Sequence, residues 1–143
     1  MSYRLKRIDP FWIKHPGVLV GIVGGGLLGL VGFVLKNPWV SGLGGVVVAG
    51  AILAATKPLV SAVTLSLGLF GGFASFVLVP NVSVADFSAI MRGVSVLIFA
   101  AFYMVLMDAL VLVLSVLYNF FSGVAGLGGL TLDFEAEEEG AAV

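Results

Sequence analysis

Three stretches of the chain, Gly17 to Leu35, Trp39 to Ala55 and Pro58 to Val79, lack any charged residue, and a fourth, Gly93 to Phe121, has only Asp108. They run to 19, 17, 22 and 29 residues. A hydrocarbon layer about 30 Å thick is crossed by roughly 20 residues of helix rising about 1.5 Å each. No water is present in that layer to satisfy open backbone groups, so apolar stretches of this length fold as helices. The expectation is an all-α, polytopic integral membrane protein, a four-transmembrane-helix bundle with short loops. Residues 1–16 then form a basic interfacial segment, residues 17–122 the transmembrane domain, and residues 123–143 a Gly-rich linker and acidic C-terminal tail.

Composition excludes the main alternatives. With 60% hydrophobic and 10% charged residues, the 143-residue chain lies far from soluble domains. The spans leave too little chain for an extramembrane domain, which needs at least about 50 residues for a core. No cysteine is present, which rules out disulfides, thiolate catalysis and cysteine-held metal within the chain. The basic stretch before the first apolar one resembles a secretory leader. A leader's apolar region has about 7 to 15 residues, however, so this longer one reads as a retained first span.

Lys14-His15-Pro16, Lys36-Asn37-Pro38 and Lys57-Pro58 precede the first three spans. Proline suits the first helical turn, where its missing N–H has no intrahelical partner, and lysine extends toward headgroups. The two short links make spans one to three tight antiparallel neighbours. Ser83 and Asp86 in the longer third link form a weak capping pattern, which would start the fourth helix near Val84 as an interfacial turn. With a cytoplasmic N-terminus, Arg4, Lys6, Arg7, Lys14 and Lys57 lie inside and Lys36 and Arg92 outside. That distribution favours both termini on the cytoplasmic side of a multi-pass protein.

In span one, Gly17, Gly21, Gly24, Gly25 and Gly32 fall within about 100° of one another on a helical projection. Gly17, Gly21, Gly25 and Gly29 recur at every fourth residue as a glycine zipper, which lets another backbone approach closely. The partner is either another span of this chain or a second subunit. Span two offers a shorter small face of Ser41, Gly45 and Ala49, and span three aligns Ser61, Thr64, Gly68, Gly72 and Ser75.

Span four carries a polar stripe of Asp108, Ser115, Asn119 and Ser122. Asp108 lies roughly 4 Å along the axis from the middle of its apolar stretch. A carboxyl group there costs about 2.5 to 3.5 kcal/mol on insertion scales, so it turns away from lipid. No lysine or arginine shares its depth. Antiparallel pairing of spans three and four brings Asp108 to the level of Thr64 and Gly68, and a hydrogen bond to Thr64 or to a backbone carbonyl is expected.

The candidate residues are therefore of two kinds: Gly17, Gly21, Gly24, Gly25, Gly68 and Gly72 for helix packing, and Thr64, Asp108, Ser115 and Asn119 for a polar or ion site. Neither Gly24-Gly25-Gly26 nor the glycines of residues 123–129 carry the lysine and hydroxyl of a phosphate loop. Lone His15 has no second histidine with which to hold a metal. No cofactor, metal, catalytic or nucleic-acid signature is expected. Packing features outnumber chemical ones, so the expected role is a small non-catalytic subunit, structural or accessory, of a homo-oligomer or larger membrane complex. A proton or small-cation channel or carrier component using Asp108 is the alternative.

Overall fold

A computed structural model describes residues 2–5, 7–124 and 131–133. The chain is an all-α four-helix bundle with four helices long and apolar enough to cross a membrane. Strand β1 (Ser2–Arg4) precedes helices α1 (Pro16–Val34), α2 (Pro38–Ala55), α3 (Pro58–Phe73) and α4 (Ala89–Asn119), and strand β2 (Thr131–Asp133) follows. The chain divides into two compact units, residues 10–112 and residues 1–9 with 113–143.

Proline opens each of the first three helices. His15 Nδ1 accepts from the Gly17 N–H at 3.0 Å, and Asn37 Oδ1 accepts from Trp39 and Val40. These side chains satisfy donors that the first helical turn leaves unpaired. At the end of α1 the chain reverses in one step. Asn37 N–H donates to Gly32 O, Lys36 N–H donates to Phe33 O, and Lys36 takes a left-handed φ of 52°. This is the Schellman geometry with lysine at the position glycine normally fills.

The resulting α1–α2 hairpin closes through glycine. A Cβ on Gly44 would strike the Gly29 backbone, and one on Gly32 would strike Ser41. At Gly25 it would lie 3.0 Å from Gly44 O and 2.9 Å from Val48 Cγ2. Ser41 Oγ donates to Gly29 O at 3.2 Å across the same seam. Since lipid is as apolar as the side chains, this close contact stabilises the pair by dispersion and polar bonds rather than by removal from water.

Helices α3 and α4 meet in the same way. Added Cβ atoms would lie 2.9 Å from Ala100 Cα at Gly68 and 3.2 Å from Val96 O at Gly72. Ile52, Ala55 and Leu112 form a buried cluster, covered by Phe11, Val18, Ile22, Val48, Val105 and Ala109. Phe11 reaches it because the segment before α1 is strapped in extended form across the α2–α3 turn. Trp12 N–H donates to Ala55 O at 2.6 Å and Lys57 N–H to Pro10 O at 2.8 Å.

The third link departs from the expected start of the last helix. Asn81, not Ser83, caps a short 3-10 turn at Val82–Val84, accepting from the Ser83 N–H at 3.1 Å. Ser88 Oγ then accepts from the Met91 N–H at 3.3 Å, and α4 starts at Ala89. Arg92 closes the link by donating to Phe87 O and Ala85 O. Helices α3 and α4 each run into a π-helical turn, Ala74–Leu78 and Phe120–Val124.

In the second unit, β1 and β2 pair antiparallel, Tyr3 opposite Leu132. Asn119 binds the Ile8 backbone through both amide atoms, and the Tyr118 hydroxyl donates to Leu5 O at 2.6 Å. The acidic run from Glu135 and the glycines from Gly126 to Gly129, expected as tail and linker, lie outside the described residues.

Candidate functional site

Asp108 is fully buried on α4, with 0% of its surface exposed. Its two carboxyl oxygens meet different hydroxyls from one face of α3. Ser61 Oγ lies 2.5 Å from Oδ2 and Thr64 Oγ1 lies 2.8 Å from Oδ1. Three residues of α-helix advance by about 300°, which places both hydroxyls on the side turned to α4. Gly68, one turn beyond Thr64, admits the α4 backbone close enough for these short side chains to reach. Thr64 Oγ1 also lies 3.1 Å from Ser61 O, a second acceptor for its hydroxyl proton.

Thr64 and Asp108 are thus brought together, with Ser61 added. Ser61 was legible as part of the polar face of span three, but its i, i+3 relation to Thr64 was the only mark of its role. Ser115 is buried, at 3% exposure. Asn119 is committed to Ile8, with Oδ1 at 2.8 Å from N and Nδ2 at 2.7 Å from O. That amide supports the extended N-terminal backbone, as a neighbouring strand would.

Two depressions in the unit of residues 10–112 carry site residues. One, of about 520 Å³, is lined by Trp12, Ile13, Thr56, Pro58, Ser61 and Met104, among others. The other, of about 630 Å³, is apolar, with Gly25, Gly26, Gly29, Gly42 and Gly45 along α1 and α2 and Phe102 on α4.

The glycines separate into two groups. Gly21, Gly25, Gly32 and Gly44 face the α1–α2 seam, and Gly68 and Gly72 face α4. Gly17 meets only the ring of His15, and a Cβ on Gly24 would meet nothing within 4 Å, so neither takes part in the helix contacts of this structure. The seam on α1 runs from Gly21 through Gly25 to Gly32, and Gly24 points away from it.

Among the described residues no group of three or more His, Asp or Glu side chains is placed to hold a metal ion. The architecture defines a multi-pass, all-α membrane protein. No protein-family model, curated protein or solved structure matches the chain.

Proposed function

We propose that the protein is a non-catalytic structural or accessory subunit, docking with copies of itself or with other membrane subunits through glycine faces that its own bundle leaves open. The observation that carries this reading is the open apolar depression walled by Gly26, Gly42 and Gly45 on α1 and α2 and by Phe102 on α4, where a Cβ added at any of the three glycines would meet nothing within 4 Å. Each glycine in a helix interior costs about 1 kcal/mol relative to alanine. At Gly25, Gly44 and Gly68 that cost is offset by close backbone contact inside the chain. At the outward positions only a neighbour from outside offers the same return. Within an 18-residue window of each span only 11% to 22% of the residues are buried, so surface for such neighbours is ample.

The test compares wild type with Gly42→Leu and Gly45→Leu in mild detergent, by native mass spectrometry and sedimentation. Loss of the assembly with helix content retained supports the reading, and an unchanged assembly rejects it. Both termini on the cytoplasmic side remain the proposed orientation. Its support is the charge distribution, together with the pairing of β1 with β2, which puts residues 2–4 beside residues 131–133. The absence of native cysteine makes single introduced cysteines at Lys36 and Ser88 direct reporters of the opposite surface.

A further inference from the structure

Asp108 joins α4 to α3 through two hydroxyls whose distances allow a hydrogen-bonding pattern for the carboxyl group with or without a proton. With hydroxyl protons assigned from heavy-atom distances, the ionised carboxylate accepts from Ser61 Oγ at 2.5 Å and from Thr64 Oγ1 at 2.8 Å. When a proton sits on Oδ1, that oxygen donates to Thr64 Oγ1. The Thr64 hydroxyl then turns to Ser61 O, 3.1 Å away, while Ser61 continues to donate to Oδ2. Every proton has an acceptor in both states and no heavy atom has to move. A buried polar group left unpaired in either state would cost about 1 to 3 kcal/mol.

A purely structural clasp needs only one of these states. The second independent feature is the cavity of about 520 Å³ bounded by Trp12, Ile13, Ala54, Thr56, Pro58 and Ala62, because Ser61 lines it as well. Ser61 is therefore at once part of the cavity wall and a direct partner of Asp108. When the proton sits on Oδ2 instead, Ser61 Oγ accepts it and its own proton turns away from Asp108, so the hydroxyl relays a proton without itself changing charge.

We infer that Asp108, Thr64 and Ser61 form a single-proton site inside the membrane, entered from the cavity between Trp12, Thr56 and Ser61. Helices α1, α2 and α3 bring no ionisable side chain to it, and α4 carries only Arg92, Tyr103 and Tyr118 besides Asp108. Lys14, His15 and Lys57 stand at helix starts, outside the spans. The inference is independent of the assembly reading, since it rests on the Asp108 bonds to Ser61 and Thr64 and on the cavity that Ser61 lines rather than on the glycine faces.

The site is tested by its reaction with dicyclohexylcarbodiimide, a lipid-soluble reagent selective for protonated carboxyl groups. The carboxyl proton passes to a carbodiimide nitrogen and the carboxylate oxygen bonds to the central carbon. The acyl group then migrates from oxygen to nitrogen, leaving a stable N-acylurea with no group lost. Full-length protein in phosphatidylcholine vesicles is treated with this reagent or with a water-soluble cationic carbodiimide, and modified peptides are mapped by mass spectrometry.

The expected result is an adduct at Asp108 with the lipid-soluble reagent alone, none in Asp108→Asn, and labelling slowed about tenfold or more in Ala62→Phe and Ala54→Phe, whose rings fill the cavity. Both cavity variants are checked for wild-type helix content, and either one suffices. An infrared band of a protonated carboxyl group, shifted in D₂O and missing from Asp108→Asn, is the second readout. The inference is overturned if Asp108 stays unmodified while the water-soluble reagent labels the acidic tail, or if the cavity variants react at the wild-type rate. Neither result bears on the oligomer that Gly42→Leu and Gly45→Leu probe.

Discussion

Asn119 holds Ile8 by both ends of its amide, accepting from the Ile8 N–H at 2.8 Å and donating to the Ile8 carbonyl at 2.7 Å. The pair replaces a strand neighbour for backbone that would otherwise be solvated or unpaired. Asn119→Leu removes both bonds and Asn119→Asp only the donor. Both bonds are part-buried, and each is worth about 1 kcal/mol. Hydrogen exchange at the Ile8 amide should accelerate strongly in Asn119→Leu and less in Asn119→Asp, while exchange within α1 and α2 stays at the wild-type rate. Equal protection of Ile8 in all three proteins would remove the clamp.

The clasp on Asp108 is open to a double-mutant cycle. Thr64→Val and Ser61→Ala each remove one hydroxyl, and intramembrane bonds of this kind are worth about 0.6 to 2 kcal/mol. Each should destabilise the wild-type bundle by that amount in reversible detergent unfolding. In an Asp108→Leu background the same changes should have little effect, since no partner remains. Full additivity would show that the hydroxyls act elsewhere.

Neighbouring glycines on α1 should respond in opposite ways. Gly25→Leu forces a side chain against Gly44 O and Val48, and overpacking costs about 1 to 3 kcal/mol or separates the hairpin. Gly24→Leu points into open space and should leave the fold intact. Helix content and thermal unfolding by circular dichroism distinguish them, and equal damage from both would contradict the α1–α2 seam.

Lys36 is the described non-glycine residue with positive φ, at 52°. Left-handed backbone costs an L-residue with a side chain roughly 1 to 2 kcal/mol, and glycine is free of that cost. Lys36→Gly should raise stability by about 1 kcal/mol. A lower unfolding midpoint would indicate that the lysine's contact with the membrane surface outweighs its backbone strain.

The four spans were legible because length and apolarity alone decide them. The meeting of Asp108 with Thr64 was legible from helical periodicity and antiparallel pairing. The contributions of His15 and Ser88 as caps were harder to read, since Ser83 with Asp86 offered a competing start and histidine is an uncommon capping residue. The Asn119–Ile8 pair left no trace at all. It joins one side chain to distant backbone, and backbone has no residue identity to detect. Gly24 lies off the α1–α2 seam because an angular window on a helical wheel is wider than the line along which two helices touch.

The strap of Pro10 to Trp12 bears on the order of biosynthesis. Its two bonds end on Ala55 and Lys57, at the junction of α2 and α3. The segment precedes α1 and α2 in the chain, so it has no seat until the ribosome has released that junction, and residues 10–12 must wait at the membrane surface while two spans are inserted ahead of their docking.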